Sequence, residues 1–405
     1  QGRVSNGAVM PRTSHRDWIF TGILVCAIGV VLARFGLAIW GMRPGFAFVD
    51  YRYFYAAGVA FAQGLDVYGE AYLKLGQEVF GFFPQPFYYP PSIVPLLAPL
   101  ALFDPKTGSA VFMALSAGAV LACSVAAAAL IRNRSLHVDW RLVAAIVVLG
   151  AAVFRPAMSV MVLGNVKVFM LVGLVCWIAG ALRASVVLQA VGLAVLVMKP
   201  QLGLTLGLLA LMRPAWRLGA VGAGLLSVGL YLLAAWPFGI FYYAMEYVGN
   251  VQSYTGQPTN PGEVLIGLHF FLDRLGLSVG AFATAGICLA AAALRALRNA
   301  APLDPMATGF FAVAVGICAA PSHSNETLAL MPVLALAATR GDIALKLVLA
   351  VSICGLGMLD WSVLLPGGLG AYATVHRELI GTLLLLAATG ALFLLSAREV
   401  QSRSM

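Results

Sequence analysis

Long apolar runs separated by short basic clusters make up most of the chain. The runs lie at about residues 18–40, 107–131, 142–155, 163–182, 185–198, 201–213, 216–236, 277–298, 305–320, 325–340, 343–360 and 375–397. Each is continuous rather than alternating, which predicts α-helices and not the ~10-residue alternating strands of a barrel. Several are shorter than the ~20 residues of a simple span, as happens where helices line a cavity. A proline-interrupted stretch at 92–103 is only a dozen residues long and reads as a re-entrant segment or a short span.

The basic clusters are Arg3/Arg12/Arg16, Arg132/Arg134/Arg141, Arg183, Arg213/Arg217, Arg295/Arg298, Arg340/Lys346 and Arg398/Arg403. Their recurrence between the runs follows the positive-inside rule, which puts them and both termini on the cytoplasmic side. The intervening stretches 41–90, 237–262 and 361–375 have the opposite character and face outward. The first has three basic and four acidic residues, the second no Lys or Arg, the third no charge. Within 50–80 apolar and aromatic residues recur at helical spacing, broken at "QGLDVYG", which predicts two short surface helices. A third is predicted in "FGIFYYAMEYVGNVQSY". The organisation expected is an N-terminal tail at 1–17, one transmembrane domain at 18–397 with its outer loops at 41–90, 237–262 and 361–375, and a C-terminal tail at 398–405.

Composition agrees. The chain has 405 residues, 61% hydrophobic and 10% charged, whereas soluble domains carry about 25% charged residues. A net charge of +9 does not point to nucleic acid, because the arginines are spread between spans rather than gathered. The six cysteines all fall in apolar runs without a CxxC, so neither a disulfide framework nor a metal knuckle is expected. No Walker loop, GxGxxG, HExxH or DxD is present.

Few side chains can then carry chemistry. Asp50 stands in "FVDYRYFYAAG", where the first span leaves the membrane, among Phe48, Tyr51 and Tyr53. Partial desolvation there suits a general base. The competing role is N-cap of a helix starting at Tyr51. Lys167 and Lys199 interrupt apolar runs, and such charges are paired, placed in a cavity or functional. Pro200 breaks the helix after Lys199, which favours an anion site there; for Lys167 snorkelling is the better expectation. His323 and Glu326 share a helical face at another outer end.

In order along the chain, "DYRYFYAAG", "GLDVYG", "FYYPPSIVPLLAPLALF", "LGNVKVFMLV", "MKPQLGLTLGLLALMRPAW" and "PSHSNETLALMPVLAL" resemble glycosyltransferase family 87 of the GT-C superfamily, the polyprenyl-phosphate-mannose-dependent mannosyltransferases. The resemblance runs over about residues 18–395. It implies an all-α integral membrane protein, a polytopic GT-C helical bundle of about 10–13 spans with short amphipathic surface helices in its outer loops. It also implies a multi-pass inner-membrane enzyme with its active site on the periplasmic side. That enzyme moves a hexose, mannose in the family, from a polyprenyl-phosphate donor to a lipid or glycolipid acceptor, with inversion. Its partners are those lipids and the surrounding membrane, with no nucleic acid, and neither metal nor other cofactor is expected.

Carried over by motif, the catalytic base is Asp50, and Lys199 and His323 hold the donor phosphate, with Arg52 and Arg155 as further cations. Substrate contacts are expected from Tyr51, Tyr55, Tyr89, Asn165, Lys167, Gln201 and Glu326. The chain departs from the family where Gly164-Asn165-Val166-Lys167 replaces the frequent Gly-Gln-x-Asn, a difference that bears on sugar or acceptor specificity. Two other classes fit the same residues: a transporter or lipid flippase using Asp50, Lys199 and His323 as an ion path, and a non-catalytic assembly subunit. Repeated halves, common in transporters, are not found.

Overall fold

The structure, a computed structural model, describes residues 15–40, 48–81, 85–132, 139–153, 160–253, 286, 290 and 304–319. Its helices are α1 (His15–Trp40), α2 (Val49–Ala62), α3 (Glu70–Phe80), α4 (Val94–Leu97), α5 (Pro105–Arg132), α6 (Trp140–Val153), α7 (Lys167–Leu182), α8 (Val186–Val197), α9 (Pro200–Leu211), α10 (Pro214–Ala235), α11 (Ile240–Ser253) and α12 (Pro305–Ala319). No strand occurs among the described residues. The expected spans between 277 and 298 and beyond 320 lie essentially outside them.

Among the described residues three stretches are long and apolar enough to cross a membrane: Asp17–Leu37, Pro105–Leu130 and Pro214–Ala235. Large apolar side chains stay exposed along their length, such as Val25 and Leu37 on α1 and Leu218, Leu225 and Leu233 on α10. A surface of that kind is stable against lipid rather than water. The chain is a membrane protein.

Inside this frame α8 packs on both α7 and α9, and α12 packs on α7 and α9. Small residues bring the backbones together: a Cβ on Gly192 of α8 would lie 2.5 Å from the Trp177 amide nitrogen of α7. Such small-residue contacts are how helices associate without a hydrophobic driving force between them. Trp177 packs edge-on against Trp216 of α10 at 5.2 Å between ring centroids.

The surface helices fall where the sequence places them. α2 and α3 are joined through 63–69, and α11 follows α10. The 92–103 stretch is not one continuous helix. It is a 3-10 turn (Pro91–Ile93), the single turn α4 and a second 3-10 turn (Ala98–Leu102), lying against α2. Pro91, Pro95 and Pro99 each remove a backbone donor, so no regular i→i−4 ladder can run through it. Gly58 lets α2 settle on this segment, since a Cβ there would come within 2.2 Å of the Leu97 carbonyl oxygen.

At the end of the bundle away from α2, Arg141 of α6 forms an ion pair with Asp17 of α1 at 2.8 Å. The same guanidinium donates to the Asp17 carbonyl at 3.1 Å. Asp104, Asp139 and Asp304 accept backbone N–H groups at the starts of α5, α6 and α12, as helix-capping carboxylates do.

Candidate active site

Asp50 does not cap its helix. α2 begins at Val49, with Phe48 in the cap position and in the left-handed region at φ 63°, ψ 30°. That backbone costs a non-glycine residue about 1–2 kcal/mol and is held by a hydrogen bond from the Phe48 amide to the Val162 carbonyl at 3.0 Å. Asp50 is thereby set in the first turn of α2, partly exposed, with its side chain turned toward the 160–166 turn that precedes α7.

That turn is built to reach it. Gly164 has φ +69°, and a Cβ there would lie 2.7 Å from the Tyr51 Cβ, so only glycine allows the turn to sit against α2. The next residue, Asn165, is buried and donates from its amide nitrogen to Asp50 Oδ2 at 2.7 Å. Its carbonyl oxygen accepts from the Lys167 backbone amide at 2.9 Å and from the Tyr89 hydroxyl at 3.4 Å.

Two lysines complete the site. Lys167 opens α7 and is only 3% exposed. That burial, at a helix start beside a buried polar turn, speaks against the snorkelling expected of it. Lys199, 9% exposed, is the cap residue of α9 with Pro200 at the first helical position. The proline break thus falls between α8 and α9, with the Lys199 ammonium 5.4 Å from the Tyr89 ring centroid. Two helix N-termini, those of α7 and α9, therefore carry these lysines. Helix starts favour anions through their free N–H groups and dipole.

Burial raises the Asp50 carboxyl above the ordinary Asp value. The Asn165 hydrogen bond opposes this, followed by the charges of Lys167 and Lys199. The site is thus a carboxylate made more basic by desolvation, beside two ammonium groups. Among the described residues no three His, Cys, Asp or Glu side chains gather in a way that could hold a metal ion.

Of the other residues singled out by sequence, Arg52 lies over the Phe80 ring of α3 at 5.7 Å, leaving α2 two positions after Asp50. Tyr51 is 1% exposed and packs on Phe112 of α5 and on Tyr55. Tyr55 is also buried, and its hydroxyl donates to the Phe103 carbonyl at 2.9 Å. Gln201 sits in the first turn of α9, where its backbone faces Gly316 of α12. Arg155, His323 and Glu326 lie outside the described residues.

Sequence reasoning did not anticipate the wall over the site. Tyr68, in the α2–α3 connection, donates to the Tyr89 carbonyl at 2.5 Å and meets Tyr243 of α11 edge-on at 4.9 Å. Asn250 of α11 donates to the Phe87 carbonyl at 3.4 Å. These contacts lock α11 to the strand-like 85–90 segment that carries Tyr89. Only the density of aromatics in both loops hinted at it.

The sequence profile of glycosyltransferase family 87 matches residues 87–321, more than half of the chain. The chain belongs to that family, and it is a membrane glycosyltransferase of all-α fold. The matched stretch contains Tyr89, Asn165, Lys167 and Lys199. Asp50 precedes it and is joined to it by the Asn165 hydrogen bond. No curated protein sequence matches the chain significantly.

Proposed function

We propose that the protein transfers a hexose, mannose by family resemblance, from a polyprenyl-phosphate donor to a hydroxyl of a lipid or glycolipid acceptor at the outer face of the inner membrane. The observation that carries this reading is the Asp50 carboxylate, bonded by Asn165 and set beside Lys167 and Lys199 at two helix starts. Asp50 takes the proton of the acceptor hydroxyl as its oxygen attacks the anomeric carbon. The bond between that carbon and the phosphate oxygen breaks on the opposite side, which inverts the centre. The polyprenyl phosphate leaves with one more negative charge.

Fixed cations aimed at that charge lower the barrier. Lys199 is the first candidate, with Lys167 beside it. Arg52 and, outside the described residues, His323 and Arg155 complete the proposed phosphate set. With this much fixed positive charge on the chain, we expect transfer to need no added metal. Tyr89 presents a ring beside Lys199 on which a sugar can stack.

The test is incubation of purified protein with [¹⁴C]mannosyl polyprenyl phosphate and a membrane lipid extract. A labelled lipid product supports the proposal, and unchanged donor defeats it. Orientation has its own test in a cysteine-free background. A cysteine at Gln63 should react with an impermeant thiol reagent from outside, and one at Ser135 should not. The reverse pattern would put Asp50 in the cytoplasm.

A further inference from the structure

We infer that Asn165 is a positioning residue that fixes which oxygen of Asp50 takes the acceptor proton, an inference that rests on the proposed role of Asp50 as base. A side-chain amide can usually be placed either way round, but here its partners decide. The Lys167 backbone amide can only donate, and it lies 2.9 Å from Asn165 Oδ1. The Tyr89 hydroxyl donates to the same oxygen. Turning the amide over would set its NH2 against the Lys167 N–H and its oxygen against a carboxylate. The NH2 group is therefore committed to Asp50 Oδ2 at 2.7 Å.

Of the described side chains, only Asn165 bonds the carboxylate. Oδ2 is thus engaged, and Oδ1 is the oxygen left to meet a hydroxyl. The amide is itself fixed from behind by the start of α7 and by the Gly164 turn, so the carboxylate plane follows the backbone of another helix. Among the described residues the other charged or titratable groups acting on Asp50 are Lys167 of α7, Lys199 before α9 and Tyr53 of α2 itself, with Arg52 acting on Tyr53. Asp104, at the start of α5, faces Tyr51 and Tyr55 instead. None of these is altered in the variants below, so a changed pH profile reports the Asn165 bond.

The experiment measures kcat, donor KM and the pH profile of kcat/KM in the labelled-transfer assay for Asn165→Leu and Asn165→Asp. Leu keeps the branched shape and removes both the donor to Asp50 and the acceptor of the Lys167 amide. A misdirected base costs roughly 10²-fold in kcat, with donor KM unchanged. The acid limb should move to higher pH, because the hydrogen bond that favours the charged carboxylate is gone. Asp keeps the acceptor for the Lys167 amide but puts a second carboxylate against Asp50; the two share a proton, and the acid limb again moves to higher pH.

A folded variant with the parental acid limb, or with its loss confined to donor KM, overturns the inference. So does failure of both variants to fold, which would make Asn165 a folding residue. If only the Leu variant fails to fold, the Asp variant decides by the same criteria. Asp50→Asn separates the two levels of the argument. Transfer above a tenth of the parent in that variant sinks the base itself, whereas a larger loss in Asp50→Asn with an unmoved limb in the Asn165 variants sinks only the positioning role.

Discussion

The long helices and the short ones divide the work of this molecule. At 1.5 Å per residue, the 22 residues of α10 reach about 33 Å, enough for the ~30 Å hydrocarbon core. The 12 residues of α8 reach only about 18 Å. α8 climbs from Ser185 and stops at Lys199, where the chain turns at Pro200 and descends as α9. A turn of that kind, short of the far interface, leaves backbone groups that lipid cannot satisfy, so it is stable only where it lines a polar cavity. The long helices form the lipid-facing frame. The short ones end early and so set Lys167 and Lys199 at helix starts beside Asp50, with α2 and the 85–90 segment next to them.

The largest expected effect breaks that division at its chemical centre. Asp50→Asn keeps the hydrogen-bonding shape beside Asn165 but cannot accept a proton. Loss of a general base costs about 10²–10⁴-fold, so kcat in the labelled-transfer assay should fall by that factor with expression unchanged. Residual turnover above a tenth of the parent would leave Asp50 a structural group.

Next come the two lysines, which sharpen the comparison because both stand at helix starts yet differ in burial. Lys199→Met removes a fixed charge from the proposed phosphate site, and loss of one such electrostatic partner costs about 10²–10³-fold, with weaker donor binding. Lys167→Met should slow transfer less and leave donor affinity nearer the parent, because Lys167 is the more buried of the two. Double mutants with His323→Ala decide whether the phosphate is shared. Effects that simply add, with donor affinity unchanged, would take His323 out of the site.

How much of this was legible in the sequence depends on range. Hydropathy runs gave every described span to within a few residues, and helical spacing in the outer loops gave α2, α3 and α11. Asp50 was legible because a carboxylate among aromatic rings at a span's end is rare in a chain with so little charge. Its helix position was not: the expected cap at Asp50 assumed a start at Tyr51, while the Phe48–Val162 hydrogen bond pulls the start back to Val49. The Asp50–Asn165 bond joins positions 115 apart, and no local pattern encodes it. Lys167 was legible as a charge within an apolar run, but its burial was not, because that comes from packing around α7 that no local pattern encodes.

Gly164 gives a smaller effect that tests the seating of the turn rather than its chemistry. Gly164→Ala must place a Cβ 2.7 Å from the Tyr51 Cβ at φ +69°. Left-handed strain alone costs about 1–2 kcal/mol, and the clash adds to it. The variant should melt several degrees lower and lose activity through displacement of Asn165. A variant that melts like the parent would show that the turn is not pressed against α2.

The smallest effect is expected at the opposite end of the bundle, where α1 meets α6. The Arg141–Asp17 pair is 2.8 Å long, but its side chains keep 26% and 39% exposure, so solvent and salt screen it. Pairs of this kind contribute roughly 0.2–1 kcal/mol, and the guanidinium also rests over the Trp140 ring at 5.8 Å, which a Gln would partly replace. Arg141→Gln should therefore lower the melting temperature slightly and leave kcat, donor KM and the pH profile at parental values. The long helix α1, which carries Asp17, can lose such a contact because that end of it holds nothing in register for chemistry. If transfer fell tenfold in Arg141→Gln while the protein stayed folded, the frame and the site would be coupled, and the separation between long and short helices would not hold.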